Sequence, residues 1–271
     1  MRLVIVGPGR AGTALALAAS TAGHRVVAVA GRDPEATSVA ASALGADALD
    51  ISDPMPEADL VVVAVRDDAI GEVASAIATA AAAAGPAAIH LSGAVPVSAL
   101  APLAAAGMAT GSFHPLQTLP DPARGAARLA GAWVAITAGG ALRDRLIELA
   151  GSIGMHPFDL DDEHKAVYHA AAAAAANFPL GALVMAESLF SAAGVPFAAA
   201  RPLVETVVAN AFELGPRSSL TGPVARGDAG TVESQIRAVA EYAPSLADDF
   251  RTLVVVLARI AGATEIEERW S

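Results

Sequence analysis

Residues 3–6 are a short apolar, β-branched run that stops at Gly7, the pattern of a strand buried on both faces. The stretch after the glycines, RAGTALALAASTAGH, carries apolar positions at helical spacing and ends near Gly23. The same exchange repeats along the first third of the chain. Residues 26–30, 60–65 and 87–93 read as buried strands, and 34–44 and 67–84 as helices, with Asp67 or Asp68 placed to cap the latter. Strands that alternate with helices predict a doubly wound, mostly parallel α/β sheet with helices on both faces.

After Pro96 the pattern loosens. A short helix over 97–106 leads into TGSFHPLQTLP, followed by a strand over 132–138, a helix over 141–153 and a last short strand over 155–160. From Asp161 onward the strand signals stop. Segments 162–192, 196–214, 229–242 and 245–262 read as helices, broken at Gly194-Val195-Pro196, Leu214-Gly215-Pro216 and Pro244. The expectation is therefore an α/β domain over 1–158 and an all-α domain over 159–271, with no internal repeat of 20–50 residues.

Composition narrows the class. Hydrophobic residues are 54% of the chain, but much of that is alanine, the best helix former and one that buries little area. That points to a helix-rich, closely packed protein. The richest run, Ala170 to Ala176, is short and follows Lys165 and His169, so no membrane span is expected, since one needs about 20 apolar residues. The opening MRLVIVG runs straight into a glycine turn and does not read as a cleavable leader. The absence of cysteine excludes disulfides, thiolate chemistry and cysteine-held metals, and suits a cytoplasmic setting. A net charge of −11 argues against nucleic acid, which needs clustered Lys and Arg.

The first chemistry-bearing motif is Gly7-Pro8-Gly9-Arg10-Ala11-Gly12, a G-x-G-x-x-G between a strand and a helix. In that context Gly7 allows the tight turn, Gly9 the approach of a pyrophosphate and Gly12 close helix–strand packing, while the helix N-terminus receives the anion. A Rossmann domain binding a dinucleotide is expected. The second strand ends in Ala30-Gly31-Arg32 rather than in the acid that usually holds an NAD ribose, so NADP is favoured over NAD. Arg32 would pair with the 2′-phosphate, with Arg10 as a second cation. Asp33 counts against this unless it caps the helix starting at Pro34. Val65, Arg66 and Asp67, and Ser92 with Gly93, close two further strands and should flank the ribose and nicotinamide. Ser92 either meets that region or only forms a turn.

Three clusters offer groups to polarise and protonate a hydride acceptor. Ser112-Phe113-His114-Pro115-Leu116-Gln117 reads as a Pro-stiffened turn with His114 as acid or donor and Gln117 as its orienter. A helix carries Lys165 and His169 on one face, with Asn177 three turns on. Lys165 either donates a proton or holds a substrate carboxylate, unless it points to solvent, the usual fate of a lysine. Thr221, Gly222, Arg226 and Asp228 form a polar interhelical turn suited to an anionic substrate, unless Asp228 merely caps the next helix. No H-E-x-x-H spacing occurs, and no metal is expected.

With GPGRAG, SFHPLQ, YHAAAAAAANF and LTGPVARGD on the page, the chain resembles a family of Rossmann-like oxidoreductases with a C-terminal domain of unknown function. More widely it is similar to the β-hydroxyacid-dehydrogenase-like superfamily of ketopantoate reductase, pyrroline-5-carboxylate reductase and prephenate dehydrogenase. The resemblance implies NAD(P) binding and a homodimer formed through the helical domain. Lys165 matches the helix lysine of the hydroxyacid dehydrogenases, although His169 stands where they have asparagine. HPLQ is similar to the His-Pro segment of prephenate dehydrogenases, which implies that His114 faces the nicotinamide. TGPVARGD takes the place of the carboxylate-holding loop of pyrroline-5-carboxylate reductases with a different sequence. The expected activity is NADP-dependent hydride transfer to a small 2-oxo acid such as a ketopantoate-like one. The alternatives are a cyclic imine reductase and a non-catalytic NADP-binding sensor or partner protein.

Overall fold

The computed structural model describes residues 1–80 and 87–271. The chain divides into two compact units, Met1–Ala175 and Ala176–Ser271. The first holds an eight-stranded sheet built from β1 (Arg2–Val6), β2 (Arg25–Ala30), β3 (Asp47–Leu49), β4 (Leu60–Val63), β5 (Ala87–His90), β6 (Ala109–Leu116), β7 (Trp133–Thr137) and β8 (His156–Asp159). Its order is β3-β2-β1-β4-β5-β6-β7-β8. The first six are mutually parallel, β7 runs antiparallel to β6, and β8 runs parallel to β7. The order reverses between β1 and β4, where doubly wound sheets bind ligands. The α/β class with a helical second part is as expected.

Alternation along each strand separates two cores. Leu3 and Ile5 of β1, Val62 of β4, Ile89 of β5 and Phe113 of β6 face α1 (Arg10–Thr21), α5 (Pro122–Leu129) and α6 (Gly140–Ile153). Val4, Val6, Val61 and Val63 face α3 (Ile70–Ala80) and α4 (Ala101–Ala105). Between β2 and β3 lies α2 (Pro34–Leu44), capped by Asp33, whose carboxylate accepts from the Glu35 and Ala36 amides. Neither Asp67 nor Asp68 caps the 3-10 turn Asp67–Ala69 through its side chain; Asp68 instead holds Arg66. The expected end of the following helix at Ala84 lies outside the described residues.

Three elements carried no readable signal: β3, α5 and, in the second unit, α11 (Thr264–Trp270). His114 was expected in a turn but lies within β6. The strand tolerates Pro115 because β5 pairs only as far as Ser112, so the missing N–H falls where β6 has a single neighbour, β7. The division into units also falls later than the end of the sheet. It cuts α7 (Lys165–Ala192), whose first turns are bonded to β6 through Lys165 and Tyr168.

The second unit contains the rest of α7, α8 (Arg201–Leu214), α9 (Ala229–Tyr242), α10 (Ala247–Ala261) and α11. Its core is small: Val224, Val232, Val254, Ala258 and Ile266. The close packing expected from the alanine content is absent along α7, where the only fully buried residue is Lys165. Residues 162–192 are long and apolar enough to cross a membrane by length and composition, and none of the most apolar 18-residue window within them is buried. The expectation that no stretch would be so is corrected here; the helix extends the alanine run with Phe178, Leu180 and Val184.

Gly12 sits where α1 closely approaches the ends of β1 and β4. A Cβ there would stand 2.6 Å from the Gly7 carbonyl and 2.7 Å from Ala64 Cβ. Gly12→Ala should therefore destabilise the first unit by about 1–3 kcal/mol despite the better helix propensity of alanine. A lower urea midpoint at unchanged m-value is the expected readout.

Candidate functional site

The turns after β1, β4 and β5 meet at the carboxyl edge of the sheet. Gly7 has φ of +108°, and a Cβ there would lie 2.5 Å from the Ala64 carbonyl, so only glycine fits. Gly9 differs. A Cβ would meet nothing of the protein closer than Ala64 O at 4.0 Å, which leaves open space over the turn. Gly9 is also the N-cap of α1, with no capping side chain and no acidic residue in the first turn. The first amides of α1 thus point outward uncapped, as an anion site requires. A cleft of about 550 Å³ opens there, lined by Gly9, Arg10, Ala11, Val65, Arg66 and Thr118 among others.

Around this cleft, Gly31 is pressed against Pro8 and Thr37, leaving no room for a side chain at the end of β2. Arg32 is exposed and makes no ion pair among the described residues, and the same holds for Arg10. Asp33 is committed to its cap, which removes it as a competitor for the ribose. Arg66 is held by Asp68 at 2.7 Å. These features fit a phosphorylated dinucleotide: an open glycine cradle, uncapped amides and two unpaired guanidinium groups.

One turn further along the sheet edge is a cluster of titratable groups. Lys165 is only 1% exposed. Its ammonium donates to Ser112 Oγ at 2.5 Å and stands 3.8 Å from the Asp162 carboxylate. Burial lowers its pKa, and Asp162 works against that shift. The solvent-facing alternative for Lys165 is thereby excluded. Asp162 also accepts the Val97 amide at 3.0 Å, tying the start of α7 to the connection after β5.

Tyr168 and His169 follow Lys165 by three and four residues, so they share its side of the helix. The Tyr168 hydroxyl lies 2.7 Å from His114 Nδ1, and the His169 ring centroid is 6.1 Å from that of His114. Burial, His169 and Lys165 together push the His114 pKa down from 6.5 to about 4, with Asp67 pulling the other way. Burial raises Tyr168 to about 12. At neutral pH the ring is uncharged and the phenol protonated, so the pair has two arrangements: the hydroxyl donates to Nδ1 with the ring proton on Nε2, or it accepts from Nδ1–H. The His114 ring lies against Gly93, where a Cβ would come within 2.8 Å of it.

The structure thus brings Lys165, His114 and His169 together, and adds Tyr168, Ser112, Asp162 and His90. Tyr168 was visible only as the first letter of a motif; its role needs β6 opposite it. Gln117 does not orient His114: its side-chain oxygen accepts from the Thr118 amide at 2.8 Å, and Tyr168 takes that place. Ser92 Oγ accepts from the Ala94 and Val95 amides, the turn-forming alternative. Asn177, Thr221, Gly222 and Arg226 belong to the second unit, where Asp228 caps α9 through the Thr231 amide.

Residues 1–115 match the Rossmann-like domain, and residues 132–255 match a domain of unknown function, DUF2520. No curated protein matches the chain. Among solved structures, a protein assigned as an NADP oxidoreductase from Bacteroides fragilis superposes with a TM-score of 0.81 at 24% identity, over 95% of this chain and 98% of that one. A protein from Thermotoga maritima gives 0.76 at 22% identity, over 96% and 99%. An imine reductase from Myxococcus stipitatus in complex with NADP+ gives 0.69 at 17%, over 100% and 99%. At these identities the likeness establishes the fold.

A histidine that is neutral in the fold with a pKa near 4, against 6.5 when unfolded, binds fewer protons than the unfolded chain in between. His114 therefore costs no stability above pH about 6.5 and weakens the fold as the pH falls toward 4. Denaturant unfolding of His114→Asn and wild type across that range should show a smaller loss in the variant; parallel curves would contradict a buried neutral ring.

Proposed function

From a chain that joins a Rossmann-like domain to DUF2520, we propose an NADP-dependent oxidoreductase that reduces a carbon–nitrogen or carbon–oxygen double bond. The observation that carries this reading is the Tyr168–His114 pair at 2.7 Å, in the same unit as the open glycine cradle. NADPH, when bound, supplies the hydride. Gly9 and the first amides of α1 would hold the pyrophosphate, and Arg32 with Arg10 the 2′-phosphate.

The protein's own task is then the proton. As hydride reaches the carbon, the heteroatom gains an electron pair and needs one proton. His114 passes on its Nε2 proton and takes the Tyr168 proton on Nδ1, and the phenol is reprotonated from solvent. Lys165 is too deeply buried to touch a substrate and acts as a positioning group. This departs from the hydroxyacid-dehydrogenase pattern of a lysine donor. It favours an imine over a ketopantoate-like 2-oxo acid, in keeping with the imine reductase among the structural neighbours. A small anionic substrate remains the second reading, with Thr221 and Arg226 as its holders; a non-catalytic NADP-binding protein is the third. The cysteine-free chain suits the reducing cytoplasm.

Purified protein mixed with NADPH and a panel of cyclic imines, ketone–amine pairs and 2-oxo acids should consume cofactor absorbance with one class. Tyr168→Phe should lower kcat about 100-fold with little change in NADPH affinity. Arg32→Ala should weaken NADPH but not NADH, by about tenfold. Tight NADPH binding without turnover on any compound would favour the sensor.

A homodimer through the helical unit belongs to the same proposal. Phe178 is 71% and Phe212 89% exposed, with Leu203, Val207 and Val208 also open on α8. Large apolar side chains left open on two helices of one unit are what an interface covers. Light scattering should return twice the chain mass, and Phe212→Glu should shift it toward the monomer; a monodisperse wild-type monomer would rule this out.

A further inference from the structure

His90, the last residue of β5, has no part in the chemistry above, yet it is fully buried. Its Nδ1 accepts the Ser92 amide at 3.2 Å. An amide can only donate, so Nδ1 must carry a lone pair and the ring proton must sit on Nε2. That N–H makes no hydrogen bond of good geometry among the described residues, the Pro96 carbonyl being its nearest acceptor. A leucine at this place would leave no buried donor to satisfy, so the imidazole calls for an account beyond packing.

What the ring does is bend the chain. Leu91 still bonds to β4 through the Val63 carbonyl, and the next residues leave the sheet by a turn built on side chains. His90 fixes the Ser92 amide, and Ser92 Oγ fixes those of Ala94 and Val95. Gly93, between them, is the surface on which the His114 ring rests. Across the sheet His90 is in register with Ser112, the acceptor of the Lys165 ammonium. A second cation beside that ammonium is disfavoured, so the ring stays neutral and Nδ1 stays free to accept.

We propose that His90 is a positioning residue for the Tyr168–His114 pair, acting through Ser92 and Gly93 to set where the His114 imidazole lies. This rests on the reading of that pair as the proton source, but its first test does not. In protein labelled with 15N-histidine, wild-type His114 should show a single Nε2–H tautomer. His90→Leu, which keeps the bulk and removes the acceptor, should shift the His114 nitrogens toward a mixture of tautomers. His90→Asn places an oxygen near the position of Nδ1 and should restore the wild-type shifts, whereas His90→Gln, whose acceptor reaches too far, should not. Should the leucine variant fail to fold, the asparagine–glutamine contrast decides. With a turned-over substrate, His90→Leu should lose about tenfold in kcat at unchanged KM for NADPH, as a misplaced donor does. Unchanged His114 shifts in folded His90→Leu, or in His90→Gln, would overturn the proposal. Absence of turnover in wild type would overturn the enzymatic reading and leave the nitrogen shifts to decide on His90.

Discussion

An ammonium group taken out of water must be held by something, and the way Lys165 is held organises the site. The desolvation of such a charge costs several kcal/mol unless neighbours replace the lost hydration. Ser112 Oγ and the Asp162 carboxylate replace it. Ser112 belongs to β6 and Asp162 to the turn that opens α7, so meeting that demand fixes a helix against a strand. Once Lys165 is placed, helical geometry places Tyr168 and His169 over the end of the same strand, where His114 stands. Asp162 extends the constraint to a third element by accepting the Val97 amide.

Burial, with the charges beside it, decides what kind of acid the site can hold. Exclusion of water first, then His169 and Lys165 for His114 and Lys165 for His90, drives each ring down to about 4. An imidazolium donor would be vanishingly scarce at neutral pH. A neutral imidazole remains, and it can give up its Nε2 proton only if another proton reaches Nδ1 at the same time. The Tyr168 hydroxyl is the group positioned to supply it. Burial of the phenol, which raises its pKa to about 12, keeps that proton in place until it is called upon.

Much of this was legible in the order of residues, and the remainder was hidden for identifiable reasons. The glycine motif could be read because each glycine answers a local demand: a positive φ at Gly7, an open face at Gly9, a close packing at Gly12. Asp33 as the cap of α2 followed from Asp-Pro alone. By contrast, β3 has three residues and only one that is half-buried, too little for a period to show. Proline in SFHPLQ suggested a turn, because only the sheet reveals that β5 has already ended beside it. His90 looked like one more strand residue in AAIHLSG, and Gln117 looked like a partner for His114 through mere nearness in the chain. Tyr168 and Ser112 acquire meaning only when a helix and a strand some fifty residues apart are brought together.

The alanine content misled in a way that has its own physical content. Alanine favours helix without providing much area to bury, so helices rich in it form readily and leave their larger side chains to find cover elsewhere. On α7 and α8 those larger side chains, Phe178, Val184, Leu203 and Phe212, remain open. A bilayer would cover them, since α7 is long enough, but it would also have to take in Asn177 near the middle of the helix, with Glu187 toward its end. A polar side chain in hydrocarbon needs a partner there. A protein partner has no such difficulty, because it can cover an apolar stripe and leave Glu187 at the wet rim. The polar tether of α7 through Lys165 points the same way: it binds the first turn of the helix to a sheet whose own edges require water. The homodimer proposed above would cover both helices at once.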